Sequence, residues 1–147
     1  MEWVKKGFSV IEILIVLLIF SLLMVPTTAY FLNYQRGLLL ESAAKEIVEI
    51  ANFAREYAVT ERKTFYVIFN EEKFVVLREN REPVDKEYKL PEHIKIKDRS
   101  EGFSPLVFNP DGTAKTGGYL ILTDTAGKKE IKIVLHNLTG RCFIVRQ

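Results

Sequence analysis

The hydrophobic and polar positions divide the chain into two regions of different character. Between positions 13 and 34 there is no Asp, Glu, Lys or Arg, whereas charged residues recur throughout the sequence after Arg36. The uncharged run 13–32 holds 20 residues. A helix of that length spans roughly 30 Å, the thickness of the hydrocarbon core of a bilayer. The first region is therefore predicted to be a transmembrane helix.

The basic residues that flank this run predict its orientation. Lys5 and Lys6 precede the run, and the next basic residue is Arg36. By the positive-inside rule, the N-terminus faces the cytoplasm and the residues after about 35 lie on the other side of the membrane. The predicted location is the inner (cytoplasmic) membrane, crossed once, with a periplasmic or extracytoplasmic C-terminal domain.

Helical periodicity continues beyond the uncharged run. From residue 38 to about residue 62, apolar residues recur at spacings of three and four and form one stripe, while charged residues such as Glu41 and Lys45 fall on the opposite face. The stripe consists of Leu40, Ala44, Ile47, Ala51, Ala54 and Ala58. The sequence predicts one long helix with a transmembrane half and an amphipathic half.

The remainder of the sequence predicts β-hairpins. Runs rich in β-branched and aromatic residues are separated by turn signals, of which Asn109-Pro110-Asp111-Gly112 is the strongest. The predicted strands are 64–69, 74–78, 88–90, 93–97, 106–108, 119–123, 130–135 and 141–146. A helix followed by hairpins predicts an α+β fold in which the long N-terminal helix packs on antiparallel β-sheet.

Glu12 is the residue that a plain membrane anchor does not explain. It lies inside the apolar segment, where a carboxylate costs roughly 2.5–3.5 kcal/mol on insertion scales. A secretory signal peptide is a further alternative, but it would have a shorter apolar core and a small-x-small cleavage site after it. An ionisable group in a membrane segment predicts a functional role and a partner of opposite charge.

The segment Lys5-Lys6-Gly7-Phe8-Ser9-Val10-Ile11-Glu12 resembles the prepilin cleavage motif of type IV pilins and type II secretion pseudopilins. The resemblance implies that residues 1–7 are a leader, which prepilin peptidase removes by cutting between Gly7 and Phe8. It also implies that Phe8, as the new N-terminal residue, becomes N-methylated.

The same resemblance gives Glu12 a role in assembly within a transmembrane and assembly helix of residues 8–35. In this family the matching glutamate pairs with the α-amine of a neighbouring subunit. A buried amine and a buried carboxylate each cost free energy alone, and they offset each other when paired. The implied partners are other pilin or pseudopilin subunits, prepilin peptidase and the inner membrane.

Three segments of the remaining chain are similar to the GspH/FimT branch of pseudopilins and minor pilins. They are Ala54-Arg55-Glu56-Tyr57-Ala58-Val59, Phe108-Asn109-Pro110-Asp111-Gly112-Thr113 and Leu138-Thr139-Gly140-Arg141. The resemblance covers most of residues 45–147 and implies a globular GspH/FimT-like domain at 36–147. The implied function is that of a minor subunit of a type II secretion pseudopilus or of a type IV pilus.

DNA binding is an alternative function, because some FimT-like proteins act in DNA uptake. Their C-terminal motif is Gly-Arg-x-Arg, whereas this chain has Gly140-Arg141-Cys142-Phe143 and lacks the second arginine. Arg146 follows, but a strand would point it to the face opposite Arg141. A net charge of +2 also lacks the basic excess of nucleic-acid binders. Arg141 stays a candidate phosphate contact, with a plain exposed arginine at a strand as the alternative.

Neither an enzyme, nor a cofactor, nor a metal site is predicted from the sequence. His93 and His136 are far apart and have no nucleophile pattern near them. Cys142 is predicted to be a small buried apolar residue. Asp111 and Asp124 lie in separate turns, and two isolated aspartates do not make a calcium site.

Overall fold

A long α-helix is the first element of the computed structural model, which describes residues 8–70, 73–84 and 87–145, apart from the side chains of residues 25–29 and 33. The helix, α1, runs from Val10 to Glu61. The chain forms two compact units, of which the first ends at Gln35 and the second begins at Arg36. Within the described residues, no helix is both long and apolar enough to cross a membrane.

The first unit presents apolar side chains on all sides of α1. Every large apolar side chain from Val10 to Met24 is exposed, by 51–75%. A helix that is apolar all round is covered by lipid or by other helices in its working state. Among the described side chains of the first unit, none of the large apolar ones from Val10 to Met24 is buried in a core.

In the second unit, α1 is amphipathic as predicted and ends in a defined cap. Arg62 has a positive φ of 52°, and the Lys63 N–H donates to the Ala58 carbonyl at 3.2 Å. This bond satisfies a carbonyl that the last helical turn leaves without a partner. Glu61 also forms a salt bridge with Arg78 at 3.2 Å, which fixes the helix end to the neighbouring sheet.

The strands of the second unit form two antiparallel sheets of four strands each. Their bounds are β1 Phe65–Phe69, β2 Lys73–Arg78, β3 Tyr88–Lys89, β4 Ile94–Arg99, β5 Leu106–Phe108, β6 Gly118–Asp124, β7 Glu130–Leu135 and β8 Cys142–Val145. The first sheet has the order β3-β2-β1-β5, and the second has the order β4-β6-β7-β8. In the second sheet, β6, β7 and β8 form a meander, and β4 pairs with β6 at the edge.

One hydrophobic core joins the helix stripe to both sheets. Alternate residues of the strands face inward, so that Leu120, Leu122 and Asp124 of β6 are buried and the two residues between them are half-buried. The largest fully buried side chains include Phe65, Phe74, Phe103, Phe108, Leu40, Ile47, Leu120 and Ile133. The predicted α+β architecture, with a long helix packed on antiparallel sheets, is confirmed.

Several strand bounds differ from the prediction by one or two residues, and the largest extension, at the end of β4, has a local reason. The strand β4 continues to Arg99 because a bulge between Ile96 and Asp98 shifts its register on β6 and lets the pairing go on. A short 3-10 helix, Glu101–Phe103, then turns the chain and buries Phe103 at 5.6 Å from the Phe69 ring. The last strand is described from Cys142 to Val145, and its predicted end at Arg146 lies outside the described residues.

Candidate functional site

Three segments that are far apart in the sequence meet around the side chain of Arg55. Its Nε donates a hydrogen bond to the carbonyl oxygen of Gly112 at 2.9 Å. The backbone of Gly140 lies against the same carbonyl and against the Arg55 side chain. We call Arg55, Gly112 and Gly140 the Arg55 joint, and it connects α1, the 109–113 turn and the segment before β8.

The two glycines of the Arg55 joint are required by backbone conformation and by space. Gly112 and Gly140 have φ values of 81° and 60°, which L-residues with a side chain rarely adopt. A methyl group on Gly140 would overlap the Gly112 carbonyl oxygen, and one on Gly112 would lie 2.9 Å from Val59 Cγ2. These positions therefore allow the three segments to approach closely.

The 109–113 turn is held by its own side chains. Asp111 Oδ1 accepts hydrogen bonds from Thr113 Oγ1 at 2.6 Å and from the Thr113 N–H at 2.9 Å. Asn109 Nδ2 donates to the Thr113 hydroxyl oxygen at 2.9 Å. The bonds from Thr113 stabilise the charged carboxylate and lower the pKa of Asp111. Asp111 therefore acts as a turn-forming residue that supports the joint.

A shallow cleft of about 650 Å³ lies beside the Arg55 joint. Its lining consists of Asn52, Arg55, Glu56, Val59, Thr60, Arg141 and Cys142. Cys142 is buried, and this burial raises the pKa of its thiol to about 12. Because the thiol stays protonated near neutral pH, it is a poor nucleophile. The cleft can offer charge and hydrogen bonds, but its cysteine is not activated.

Arg141, the candidate phosphate contact, is exposed at the mouth of this cleft. Its backbone carbonyl accepts a hydrogen bond from the His136 N–H at 3.0 Å, which fixes the start of β8. Phe143, which stands where the DNA-binding motif has its second arginine, is 45% exposed. The cleft thus contains the exposed Arg141 and the carboxylate of Glu56. It also contains Arg55, whose Nε already donates to the Gly112 carbonyl.

The other polar residues singled out in the sequence lie apart from this cleft or serve local structure. His93 accepts a hydrogen bond from the Thr125 N–H through its backbone carbonyl. Asp124 is buried, and its Oδ1 accepts from the N–H groups of Lys128 and Lys129 at 2.8 and 3.1 Å. In the part of the chain that the structure describes, no group of three or more His, Cys, Asp or Glu residues is placed to hold a metal ion.

The predicted processing and assembly residues lie at the start of the first unit. Gly7 and the rest of the leader 1–7 lie outside the described residues, and Phe8 is exposed just before α1. Glu12 is exposed in the first turn of α1, where its N–H donates to the Ser9 carbonyl at 3.0 Å. A carboxylate in that turn is favourable for the helix dipole. Cleavage, methylation and pairing of Glu12 stay predictions.

The Arg55 joint was not anticipated from the sequence as a structural centre. The sequence did contain its three parts, because each lies in one of the segments that resemble the GspH/FimT branch. Only the fold shows that the arginine side chain connects them. An arginine between the stripe residues Ala54 and Ala58 is the available signal, since it lies beside the buried face of the helix.

Two family models match the chain, and together they cover both of its regions. The model described as type II transport protein GspH matches residues 43–139. The model described as prokaryotic N-terminal methylation motif matches residues 4–28. The second match includes Gly7, Phe8 and Glu12, the residues of the predicted prepilin motif.

Solved structures from two related systems share the fold. The type IV minor pilin FimU of Pseudomonas aeruginosa superposes with a TM-score of 0.61 at 15% identity, over 73% of this chain and 88% of FimU. The minor pseudopilin EpsH from the type 2 secretion system of Vibrio cholerae gives a TM-score of 0.59 at 14% identity, over 72% of this chain and 95% of EpsH. Identities this low establish the fold alone.

No curated protein matches the chain. The GspH model nevertheless covers the helix stripe from Ala44 onward, the strands β1 to β7, and Arg55 and Gly112 of the Arg55 joint. That family is a structural pilin or pseudopilin family rather than an enzyme family, and its members assemble with other subunits of the same kind. The chain belongs to the GspH family of type II transport proteins and carries the N-terminal methylation motif of type IV pilin-like proteins.

Proposed function

We propose that the chain is a minor subunit of a pilus-like filament, either a type II secretion pseudopilus or a type IV pilus. The observation that carries this proposal is the part of α1 from Val10 to Met24. It exposes apolar side chains on every side, and Glu12 is the carboxylate among them. Such a helix is stable only when lipid or like helices cover it. Polymerisation through this helix satisfies that requirement.

Processing provides the partner for Glu12. Cleavage by prepilin peptidase between Gly7 and Phe8 creates a new α-amino group, and methylation keeps that group basic. In a bundle of like helices, this cation and the Glu12 carboxylate of a neighbouring subunit are both removed from water. Each alone is costly there, and pairing between subunits offsets the cost.

Before assembly, the same helix serves as the membrane anchor of the subunit. This part of the proposal rests on the sequence, on the uncharged run 13–32 and on the lysines that precede it. The N-terminus then faces the cytoplasm, where prepilin peptidase acts, and the domain 36–147 lies outside the inner membrane. The match of residues 4–28 to the methylation motif supports this order of events.

Glu12→Gln tests the pairing, because it removes the charge and keeps the shape of the side chain. Removing one partner of a buried ion pair costs about 3–5 kcal/mol, so filament incorporation should fall roughly a hundredfold or more. Incorporation is measured from the amount of chain in sheared filaments. Ser21→Ala is the matched control, since Ser21 is a polar residue of the same helix whose hydroxyl donates to the Leu18 carbonyl at 2.8 Å.

Normal incorporation of Glu12→Gln would contradict the pairing mechanism, and so would equal loss in Ser21→Ala. Gly7→Leu tests the processing step separately. A leucine side chain in place of Gly7 is expected to block cleavage, so the chain should keep residues 1–7, as intact mass spectrometry would show. A mature chain that still begins at Phe8 would contradict the cleavage assignment.

DNA binding by a minor pilin is the second candidate function, and one observation favours it. Arg141 is exposed at a cleft that also contains Arg55, so two guanidinium groups could approach one phosphate. Glu56 in the same cleft and Phe143 in place of the second motif arginine weigh against it. Salt-sensitive DNA binding that Arg141→Ala abolishes would support this candidate, and its absence would reject it.

A further inference from the structure

We propose that the free edge of β8 accepts an extended acidic segment of another protein as an added strand. Side chains of this segment enter the cleft beside the Arg55 joint. The inference is independent of the filament role proposed above, and it gives the same cleft a partner other than DNA. Three features carry it: the edges of the two sheets, the backbone of β8 and the charges of the cleft.

Three of the four sheet edges in the described residues are protected against further pairing. The edge strand β3 has two residues. The edge strand β5 is covered by the segment that follows it, in which the Lys115 N–H donates to the Val107 carbonyl at 2.9 Å. The edge strand β4 has a bulge after Ile96 and exposes Lys95 and Lys97. Short strands, bulges and charged side chains are common protections of a sheet edge.

The fourth edge, β8, has none of these protections in its described residues. Its four residues, Cys142–Val145, are uncharged, and all four pair with β7 in regular register. In the sheet order, β7 is its one described neighbour. Phe143 alternates with the buried Cys142 and is exposed. An apolar and regular edge strand is a template for pairing with another chain.

The backbone groups of β8 point alternately to β7 and to the free edge. The Arg141 carbonyl accepts a hydrogen bond from the His136 N–H, so the Arg141 backbone faces β7, and so does that of Phe143 two residues further on. The N–H and carbonyl groups of Cys142 and Ile144 therefore point away from β7. Cys142 also lines the cleft, together with residues of α1. The edge of β8 thus forms one side of a groove whose other side is a helix.

A groove between a strand edge and a helix suits recognition by strand addition. In this mode, hydrogen bonds to the main chain give affinity, and alternate side chains of the added strand give specificity. Successive side chains of a strand point to opposite faces. One set in the added segment therefore lies in the cleft, and the other set lies beside Phe143 and Val145 on the outer face. The second set is expected to be apolar.

The charges of the cleft select an acidic segment. The lining includes two guanidinium groups, those of Arg55 and Arg141, and one carboxylate, that of Glu56. Asn52 and Thr60 add uncharged hydrogen-bonding groups. A carboxylate on the added segment balances the excess of positive charge, and hydrogen bonds between guanidinium and carboxylate are stronger than those between neutral groups.

Two other occupants satisfy fewer of these groups. A second copy of this chain would offer its own β8, but the sequence 131–147 contains no Asp or Glu, so that strand brings no carboxylate to the cleft. A nucleic acid offers phosphate oxygens to the arginines. Its backbone has no donor for the carbonyl groups of Cys142 and Ile144, and it gains little from the apolar side chain of Phe143. An acidic extended peptide satisfies all of them.

The test uses phage-displayed random peptides of about ten residues, the length of a long strand. They are selected on the full chain in detergent, which is captured through an N-terminal tag. We expect the selected peptides to have Asp or Glu in one set of alternate positions and apolar β-forming residues in the other. A synthetic copy of the leading peptide is then the probe, and fluorescence anisotropy measures its binding. A selection that yields no peptide, or peptides without an acidic residue, overturns the inference.

N-methylation of the probe backbone distinguishes strand addition from binding by side chains alone. In an added strand, every second N–H points to β8 and those between point to solvent. Methylation of the first set should weaken binding roughly fivefold or more per site, the equivalent of one hydrogen bond. Methylation of the second set should change little. Equal effects at all positions would reject pairing with β8, and this readout leaves the fold of the chain untouched.

Arg141→Gln tests the charge of the cleft and keeps a polar side chain. The probe should bind roughly two- to fivefold more weakly, as for an exposed ion pair. A probe whose carboxylate is replaced by the amide should bind both chains alike. The matched control is Arg81→Gln, an exposed arginine in the connection between β2 and β3, which should leave binding unchanged. Equal losses in the two variants would contradict the assignment of the acidic residue to the cleft.

Two results would assign the edge to another occupant and so overturn the inference. A dimer of the full chain that Phe143→Thr dissociates in analytical ultracentrifugation would assign β8 to a second copy. A short DNA duplex whose binding is lost in Arg141→Gln, together with a failed peptide selection, would assign the cleft to nucleic acid. Neither result touches the filament role, because filament incorporation of the Glu12→Gln variant is a separate measurement.

Discussion

The two parts of α1 differ in how their apolar side chains are covered. From Val10 to Met24 the helix exposes apolar side chains on every side, whereas Leu40, Ala44 and Ile47 of its later turns are at most 1% exposed. The later part covers its apolar stripe with two sheets of the same chain. In the described residues of the first unit, the side chains from Val10 to Met24 have no such cover. One helix therefore has a later part that is buried in the domain core and an early part whose apolar side chains are exposed in the single chain.

This difference separates stability from assembly. Substitutions in the later part of α1 act on the folding of the domain, because the apolar residues of this part are buried against sheets of the same chain. Substitutions in the early part act on what that helix meets, either lipid or other subunits. The two classes of effect should be separable by measuring unfolding of the domain and incorporation into filaments for the same variants.

The largest expected effect on stability comes from the core of the domain. Phe108→Ala removes a fully buried ring on β5 and should destabilise the domain by about 3–5 kcal/mol, which lowers the Tm by more than roughly 10 °C. Thermal unfolding of the full chain in detergent, followed by near-UV circular dichroism, measures this.

Leu17→Ala is the comparison variant in the early part of α1. Leu17 is 60% exposed in the single chain, so the Tm of the domain should not change, while filament incorporation should fall. A large loss of Tm in Leu17→Ala would break the comparison, because it would mean that the early part of the helix contributes to the domain core.

A smaller effect is expected at the glycines with positive φ. Gly127→Ala should cost about 1–2 kcal/mol, the penalty of a left-handed backbone for an L-residue, since a methyl group there meets open space. Gly140→Ala has the same backbone penalty and also overlaps the Gly112 carbonyl. Overpacking adds about 1–3 kcal/mol.

Urea unfolding of the two glycine variants checks this difference, with each variant as the control of the other. Equal destabilisation would mean that the Arg55 joint shifts to accept the methyl group. The joint would then be packed less tightly than the core of the domain. A greater loss in Gly140→Ala would sharpen the comparison, because it shows that the joint is packed as tightly as the core.

The last expected effect depends on pH and is absent near neutral pH. Burial raises the pKa of Cys142 from 9.0 to about 12, so between these values the unfolded thiol loses its proton while the folded one keeps it. The unfolded state then binds fewer protons, and the free energy of unfolding falls as pH rises, by at most about 1.4 kcal/mol per unit. Below about pH 8 this group should have no effect.

Cys142→Ala isolates this contribution from the other groups that titrate in alkali. The difference in unfolding free energy between the parent chain and Cys142→Ala should be constant from pH 7 to about 8 and should decline above pH 9. A difference that does not change with pH would show that the thiol is reachable by solvent in the folded chain.

Much of the fold could be predicted because local signals agree along the chain. The stripe from Leu40 to Ala58 predicts an amphipathic helix, and β-branched runs between turn signals predict the strands. What could not be predicted is the division of the strands between two sheets. Short strands such as Leu106–Phe108 carry no signal for their partner, since β5 pairs with β1 far away in the sequence.

The candidate site was predictable in its parts but not in its arrangement. Arg141 and the glycine turns were visible as motifs, whereas the contact between Arg55 and the Gly112 carbonyl depends on how α1 packs against distant turns. Hydrogen bonds over a separation of 57 residues follow from tertiary structure alone. The GspH match covers the segments that hold Arg55 and Gly112 and ends before Gly140, and it does not show what joins them.

The buried thiol of Cys142 has a consequence for the oxidation state of the subunit. Disulfide exchange requires a thiolate, and with a pKa of about 12 only about one molecule in 10⁵ carries one at pH 7. In an oxidising compartment outside the cytoplasm, exposed single cysteines readily form mixed disulfides or cross-linked pairs. With the topology proposed above, a subunit whose only cysteine is buried and protonated would stay reduced and unlinked until it assembles.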